Sequence, residues 1–258
     1  MLILEEFDPD SPAVIDPFRI CRPETDFPDT AISCFTFDMY RELLVNICEE
    51  SAEAAFFISG MSRPVHTAYY KGKKLALYLS PVGAPACAAA LEDVYAMGVQ
   101  TVILFGTCGV LDRTIPDGSV IIPDSALRDE GTSYHYAPPS DIIQVNPDYT
   151  EAFRDLLDQK GIPHRTGRVW TTDAVYRETR DKMKRRKNQG CLCVDMECSA
   201  LAAVSQFRNR GLFQFFYAAD NLDADSWEAR SLSSGKNRSR KAKIAELAAE
   251  MALLIPER

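Results

Sequence analysis

The chain has 258 residues, of which 46% are hydrophobic and 26% are charged, the balance of an ordinary globular protein with a sizeable core. Its formal net charge of −8 argues against nucleic-acid binding, which draws most of its affinity from basic surfaces. The sequence shows no membrane-spanning apolar run and no signal peptide at its start, so we expect a cytoplasmic protein.

The first half of the chain alternates between predicted strands and helices. Residues 1–30 are rich in Pro and Asp and lack periodicity, which predicts an irregular arm. The apolar pattern then predicts strands at 31–37, 54–59 and 101–106, helices at 38–50 and 85–98, and a hairpin at 66–80 that turns at 71–73.

The second half repeats this alternation. We predict strands at 119–123, 166–172, 191–196 and 212–219, and helices at 146–161, 178–190, 197–211 and 236–255. Continuous apolar strands between helices are typical of an α/β fold with a largely parallel sheet. Because no linker or repeat divides the sequence, we expect one domain over residues 31–258.

The eight cysteines do not form a recognisable metal-binding pattern. The sequence has no Cys-x-x-Cys pair, and its three histidines are far apart. Most of the cysteines lie in apolar segments, where a reduced thiol behaves as a small hydrophobic side chain. We therefore expect no structural metal.

Polar residues follow three of the predicted strands, and ligands of α/β sheets gather at such strand ends. Gly106 and Thr107 begin the sequence GTCG, which either binds an anion or forms a tight turn. Asp195 and Glu197 interrupt an apolar segment, where carboxylates either cap a helix or hold a ligand. Asp220 follows an apolar strand and is either a general acid or the start of a turn.

Six segments, taken in order, resemble the nucleoside phosphorylases that include purine nucleoside phosphorylase, uridine phosphorylase and the methylthioadenosine nucleosidases: YKGKKLAL, VGAPACAAALEDVYAMGVQTVILFGTCGVL, DEGTSYHYAPPS, TTDAVYRET, VDMECSALAAV and YAADNLD. They lie between about residues 31 and 222. The resemblance implies a single α/β domain whose mixed, largely parallel sheet is distorted toward a barrel and flanked by helices. It also implies that phosphate attacks the anomeric carbon of a nucleoside as the base departs, with no cofactor besides this co-substrate.

The resemblance assigns roles to residues of the nucleoside site. Glu197 is expected to accept hydrogen bonds from the ribose hydroxyls and Met196 to pack under the sugar, while Asp220 protonates a purine base. The residues expected to contact the base are Val175, Tyr176, Asp195 and Arg180.

The phosphate side departs from the family pattern. Thr107, with Gly106, is expected to bind phosphate together with Arg41, and Arg63 is a substitute for a missing arginine. Phe37 and Met39 replace a glycine and a proline of the phosphate loop. Two arginines of the family pattern are replaced, by Leu104 and Ser59.

These departures leave three functions open. We favour phosphorolysis of a purine nucleoside or uridine, giving free base and ribose 1-phosphate. The alternatives are a phosphate-independent nucleosidase and a non-catalytic nucleoside-binding protein. The family also implies a homo-oligomer, from dimer to hexamer, with residues 60–64 and the hairpin as candidate interface, and His66 or His135 is a candidate for the ribose 5′-hydroxyl.

Overall fold

The strands form one mixed sheet that closes on itself. The computed structural model describes residues 2–21, 25–58, 61–232 and 238–256, with side chains described there except at 50–58, 61–63 and 238–239. The described strands are β1 Thr30–Cys34, β2 Glu49–Ile58, β3 Met61–Tyr70, β4 Lys73–Leu79, β5 Thr101–Val110, β6 Val120–Asp129, β7 Ile142–Gln144, β8 His164–Thr172, β9 Cys191–Asp195 and β10 Gly211–Asn221.

Helices follow most of the strands. The described helices are α1 Pro17–Ile20, α2 Phe37–Arg41, α3 Ala84–Ala96, α4 Thr150–Gln159, α5 Arg180–Asn188, α6 Cys198–Phe207 and α7 Arg238–Leu254, with a π-helical segment Glu42–Ile47 and 3-10 turns Ile3–Glu5, Thr132–His135 and Val175–Arg177.

The helix predicted at 38–50 ends early. It continues from α2 only to Ile47, and Glu49 already lies in β2, opposite Tyr69 of β3. The cross-strand pairing therefore overrides the helical periodicity of this segment. The predicted hairpin is confirmed, since β3 and β4 pair antiparallel on either side of Lys71 and Gly72, both of which have positive φ.

Five strands close into a ring. β5 pairs with β10, β10 with β6, β6 with β8, β8 with β9, and β9 again with β5. β1, β4, β3 and β2 extend the sheet from β5, and β7 pairs with β6. The mixed, barrel-like α/β domain is thus confirmed. The sheet combines parallel pairs with antiparallel ones, the latter including the predicted hairpin, β2 with β3, and β9 with β5.

Apolar helices cover the sheet. Phe105 of β5 stacks on Phe215 of β10 at 5.3 Å between ring centroids, and Phe153 of α4 packs against Phe215 at 4.9 Å. The buried alanines and leucines of α7 join this cluster, while α3 and α6 contribute to a second one that includes Leu91 and Leu201. Among the described helices, none combines the length and the apolar character needed to cross a membrane.

Candidate active site

The strand ends singled out by sequence lie next to one another. In the parallel pair of β5 and β10, Gly109 is opposite Asp220, and in the antiparallel pair of β5 and β9 it is opposite Val194. Asp195 directly follows Val194, so the ends of β9 and β10 meet at the GTCG segment. The predicted convergence of these segments is therefore present in the fold.

Asp195 holds the N-terminus of α6. Its Oδ2 accepts hydrogen bonds from the backbone N–H groups of Glu197 at 2.9 Å and Cys198 at 2.6 Å, and its Oδ1 accepts from the Thr171 hydroxyl at 2.8 Å. Burial raises the pKa of Asp195, although these three hydrogen bonds favour the carboxylate and oppose the shift. Both oxygens are engaged within the protein, so the geometry gives Asp195 a capping role, and its contact with a base stays a prediction.

Glu197 is buried and fixed from a second element. Its Oε1 accepts a hydrogen bond of 2.6 Å from the backbone N–H of Gly83, which precedes α3 and has a φ of 97°. Burial, together with the adjacent charge of Asp195, raises the pKa of Glu197. Met196 beside it is half-buried. Asp195 and Glu197 are here termed the α6 pair. The carboxyl group of Glu197 is thus held in a fixed position by the backbone N–H of Gly83.

A second pair of carboxyl groups, those of Glu178 and Asp220, lies at a cavity of about 460 Å³, here termed the β10 cavity. Trp227 donates its indole N–H to Oδ2 of Asp220 at 2.9 Å. Burial raises the pKa of Asp220, and this hydrogen bond opposes the shift. The residues that line the β10 cavity are Val175, Tyr176, Glu178, Arg180, Met183, Asp220, Leu222, Trp227 and Leu232.

The residues predicted to contact a base fall into two groups. Val175 and Tyr176 line the β10 cavity, with Tyr176 at its rim because this residue is 97% exposed. Arg180 also lines it, but its guanidinium donates to the backbone carbonyls of Ala224 at 3.2 Å and of Asp225. These carbonyls belong to the segment after β10, so Arg180 ties that segment to α5.

Glu178 is a site residue that the sequence reasoning did not predict. It lines the β10 cavity together with Asp220. Burial, and next the charge of Asp220, raises the pKa of Glu178 to about 7. A sequence signal did exist, since this acidic residue follows Tyr176, which was predicted to contact the base, by two positions.

Gly109 is a further residue whose role the sequence left open. A Cβ at this position would lie 2.5 Å from Cδ1 of Leu222 and 3.2 Å from Oδ1 of Asp220. The absence of a side chain therefore lets β10 and its carboxyl group approach β5. The second glycine of GTCG therefore leaves the space that the carboxyl group of Asp220 needs beside β5.

Apolar side chains surround part of the predicted phosphate site. A Cβ on Gly106 would lie 2.6 Å from the Phe35 ring, so this glycine accommodates the segment between β1 and α2. Thr107 next to it is half-buried. Arg41 ends α2 with an exposed side chain, and Leu104 lies in the core at 1% exposure.

The remaining predicted residues contribute less to the described site. Ser59 lies outside the described residues, and Arg63 belongs to β3, in the stretch whose side chains are not described. His66 contacts the Tyr40 hydroxyl through Nδ1 at 2.5 Å, and His135 is exposed in a 3-10 turn.

Comparisons with known proteins agree with this fold. Residues 35–253 match the sequence model of the Phosphorylase superfamily, and the chain belongs to this family. Purine nucleoside phosphorylases of the DeoD type from Bacillus thuringiensis (strain Al Hakam) and Bacillus mycoides (strain KBAB4) are each 31% identical over 141 residues, which cover 54% of this chain and 60% of the relative. The similarity thus spans less than two thirds of these relatives.

The fold is also that of a solved phosphorylase structure. The crystal structure of uridine phosphorylase from Vibrio fischeri ES114 superimposes with a TM-score of 0.74 over 91% of this chain and 94% of that chain, at 22% sequence identity.

Proposed function

We propose that this protein is a nucleoside phosphorylase that cleaves the N-glycosidic bond of a purine nucleoside or uridine with phosphate, giving free base and ribose 1-phosphate. Membership of the phosphorylase superfamily and the partial similarity to purine nucleoside phosphorylases support this proposal. The reaction needs a place for the base, a grip on the ribose and a pocket for an anion.

The β10 cavity is the observation that carries the proposal. Its volume lies in the range of small-molecule sites, and its lining combines apolar side chains with the carboxyl group of Asp220. Buried Glu197, which follows β9 on the other side of β5 from Asp220, offers an acceptor for ribose hydroxyls. A nucleoside placed with its base in the cavity and its sugar toward Glu197 would meet both groups.

Phosphate would bind at the end of β5, with Thr107 and the guanidinium of Arg41 as predicted ligands. The guanidinium of Arg41 makes no hydrogen bond or ion pair with any residue of the described part of the chain, so it is available to an anion. Thr107 lies in β5 next to Gly106, beside the segment that leads into α2.

A nucleosidase is the second candidate, and Leu104 favours it. This residue stands where the family pattern has an arginine, and in the structure it is buried among apolar side chains of β5 and its neighbours. A buried leucine cannot bind phosphate, which leaves fewer cations for a strong anion pocket.

Base release separates these functions. We expect release from at least one of inosine, adenosine, guanosine, uridine and methylthioadenosine, and only when phosphate is present. Equal release without phosphate would identify a nucleosidase, and tight binding without release would identify a nucleoside-binding protein.

We also propose a homo-oligomer in the cytoplasm. Phe37, Val45 and Val82 are large apolar side chains that are each more than half exposed in the single chain. An exposed apolar surface becomes typical of an interface where such side chains form one contiguous patch. A molar mass of 28.8 kDa by light scattering, the mass of one chain, would contradict the assembly.

A further inference from the structure

The two carboxyl groups of the β10 cavity have different surroundings. Asp220 accepts a hydrogen bond from the indole N–H of Trp227, and the guanidinium of Arg230 contributes a nearby positive charge. In the described part of the chain, no donor and no cation pairs with the carboxyl group of Glu178. Asp220 therefore has partners that stabilise its charged form, whereas Glu178 has none.

Two carboxyl groups that share a partly desolvated cavity do not both ionise easily, because each charge disfavours the other. The group with donors ionises first, and the group without donors keeps the proton. Arg180 also lines the cavity, but its guanidinium donates to the carbonyls of Ala224 and Asp225 and makes no ion pair with either carboxyl group. The pKa of Glu178, raised to about 7 by burial and by the charge of Asp220, agrees with this distribution.

We propose that Glu178 is the catalytic acid that protonates a departing purine base, and that Asp220 is the partner carboxylate whose charge, added to the effect of burial, favours the protonated form of Glu178. This inference rests on the proposed function and changes the role that the sequence assigned to Asp220. The carboxyl group of Glu178 makes no hydrogen bond within the described part of the chain, whereas its backbone N–H donates to the carbonyl of Val175. The carboxyl group can therefore turn onto a ligand without breaking a hydrogen bond of the described structure.

The proton transfer balances within the reaction. As the bond between C1′ and N9 breaks, its electron pair stays with the base, and the proton of Glu178 passes to N7 of the purine. An oxygen of phosphate forms the new bond to C1′. The attacking phosphate gives up its own proton to solvent as the ester forms, and the carboxylate of Glu178 takes up a proton from solvent before the next turnover.

Glu178→Gln tests the proposal, because glutamine keeps the shape of the side chain but has no proton to give. With phosphate present, we expect kcat on inosine or adenosine to fall by about 100-fold or more, the usual contribution of a general acid. The base of 7-methylguanosine already carries a positive charge and needs no proton, so kcat on this nucleoside should change by less than about threefold. Glu151→Gln, at an exposed position of α4, is the matched control and should leave both rates unchanged.

The outcomes are distinct. Unchanged turnover on inosine and adenosine in Glu178→Gln would overturn the proposal, and so would an equal loss on 7-methylguanosine, which would indicate a structural role. A wild-type protein that cleaves only uridine would overturn it and leave phosphorolysis standing. A wild-type protein that releases no base from any nucleoside, 7-methylguanosine included, would overturn the proposed function as well.

Discussion

The α6 pair and the cavity pair, Glu178 with Asp220, contain the same residue types in different surroundings. In both pairs the aspartate has more hydrogen-bond donors than the glutamate. The two glutamates differ, because Glu197 is fixed by the backbone N–H of Gly83 and Glu178 has no donor in the described residues. A fixed carboxyl group suits the positioning of a ligand, and an unbound one suits proton transfer.

The largest effect is expected from removing the fixed carboxyl group. Glu197→Ala should lower kcat/KM by roughly 100- to 1,000-fold, because two charge-assisted hydrogen bonds to ribose are lost. The loss should shrink to less than about tenfold on the 2′,3′-dideoxy form of the same nucleoside, which lacks these hydroxyls. A loss of equal size on both substrates would contradict the ribose role of Glu197.

Asp195→Ala tests whether Asp195 stabilises the N-terminus of α6. This change removes three hydrogen bonds at the start of α6, so the free energy of unfolding should fall by about 2–3 kcal/mol. Urea unfolding measures it, with Asp155→Ala at an exposed position of α4 as the control. A fall as small as that of the control would show that Asp195 does not stabilise the helix.

Asp220→Asn tests the coupling within the cavity pair. Glu178 must be protonated to act as an acid, so turnover should fall as the pH rises through its pKa of about 7. Without the charge of Asp220 this pKa falls, although burial, the larger cause of the shift, still holds it above the ordinary value of a glutamate. The alkaline limb of the pH profile therefore moves to lower pH. We expect about a tenfold loss at pH 8 for each unit by which the pKa falls, and a smaller loss at pH 6. A uniform loss across this range would instead assign the proton to Asp220.

The sequence alone predicted most of the fold, because strands and helices are marked by long periodic segments. It also identified the strand ends that carry Glu197 and Asp220. Periodicity alone did not show which strands pair to close the ring, because the pairing of β9 with both β8 and β5 leaves no local signal. It extended the helix at 38–50 too far, because the pairing of Glu49 with Tyr69 that begins β2 is not visible in the local apolar pattern.

The same limit applies to the site. From the residue pattern alone, either Asp195 or Glu197 could cap α6, and only the hydrogen bonds that Asp195 accepts from Thr171 and Cys198 identify it as the capping residue. The sequence reasoning missed Glu178 because its role depends on a cavity that it shares with Asp220, a residue far away in the sequence.

The identity of the sugar product tests the central claim of phosphorolysis most directly. The protein should be incubated with the nucleoside it cleaves fastest in the presence of inorganic phosphate, and ³¹P NMR should quantify ribose 1-phosphate beside the released base. We predict one ribose 1-phosphate for each base released. Base release accompanied by free ribose, with the phosphate signal unchanged, would contradict phosphorolysis and identify the protein as a hydrolase.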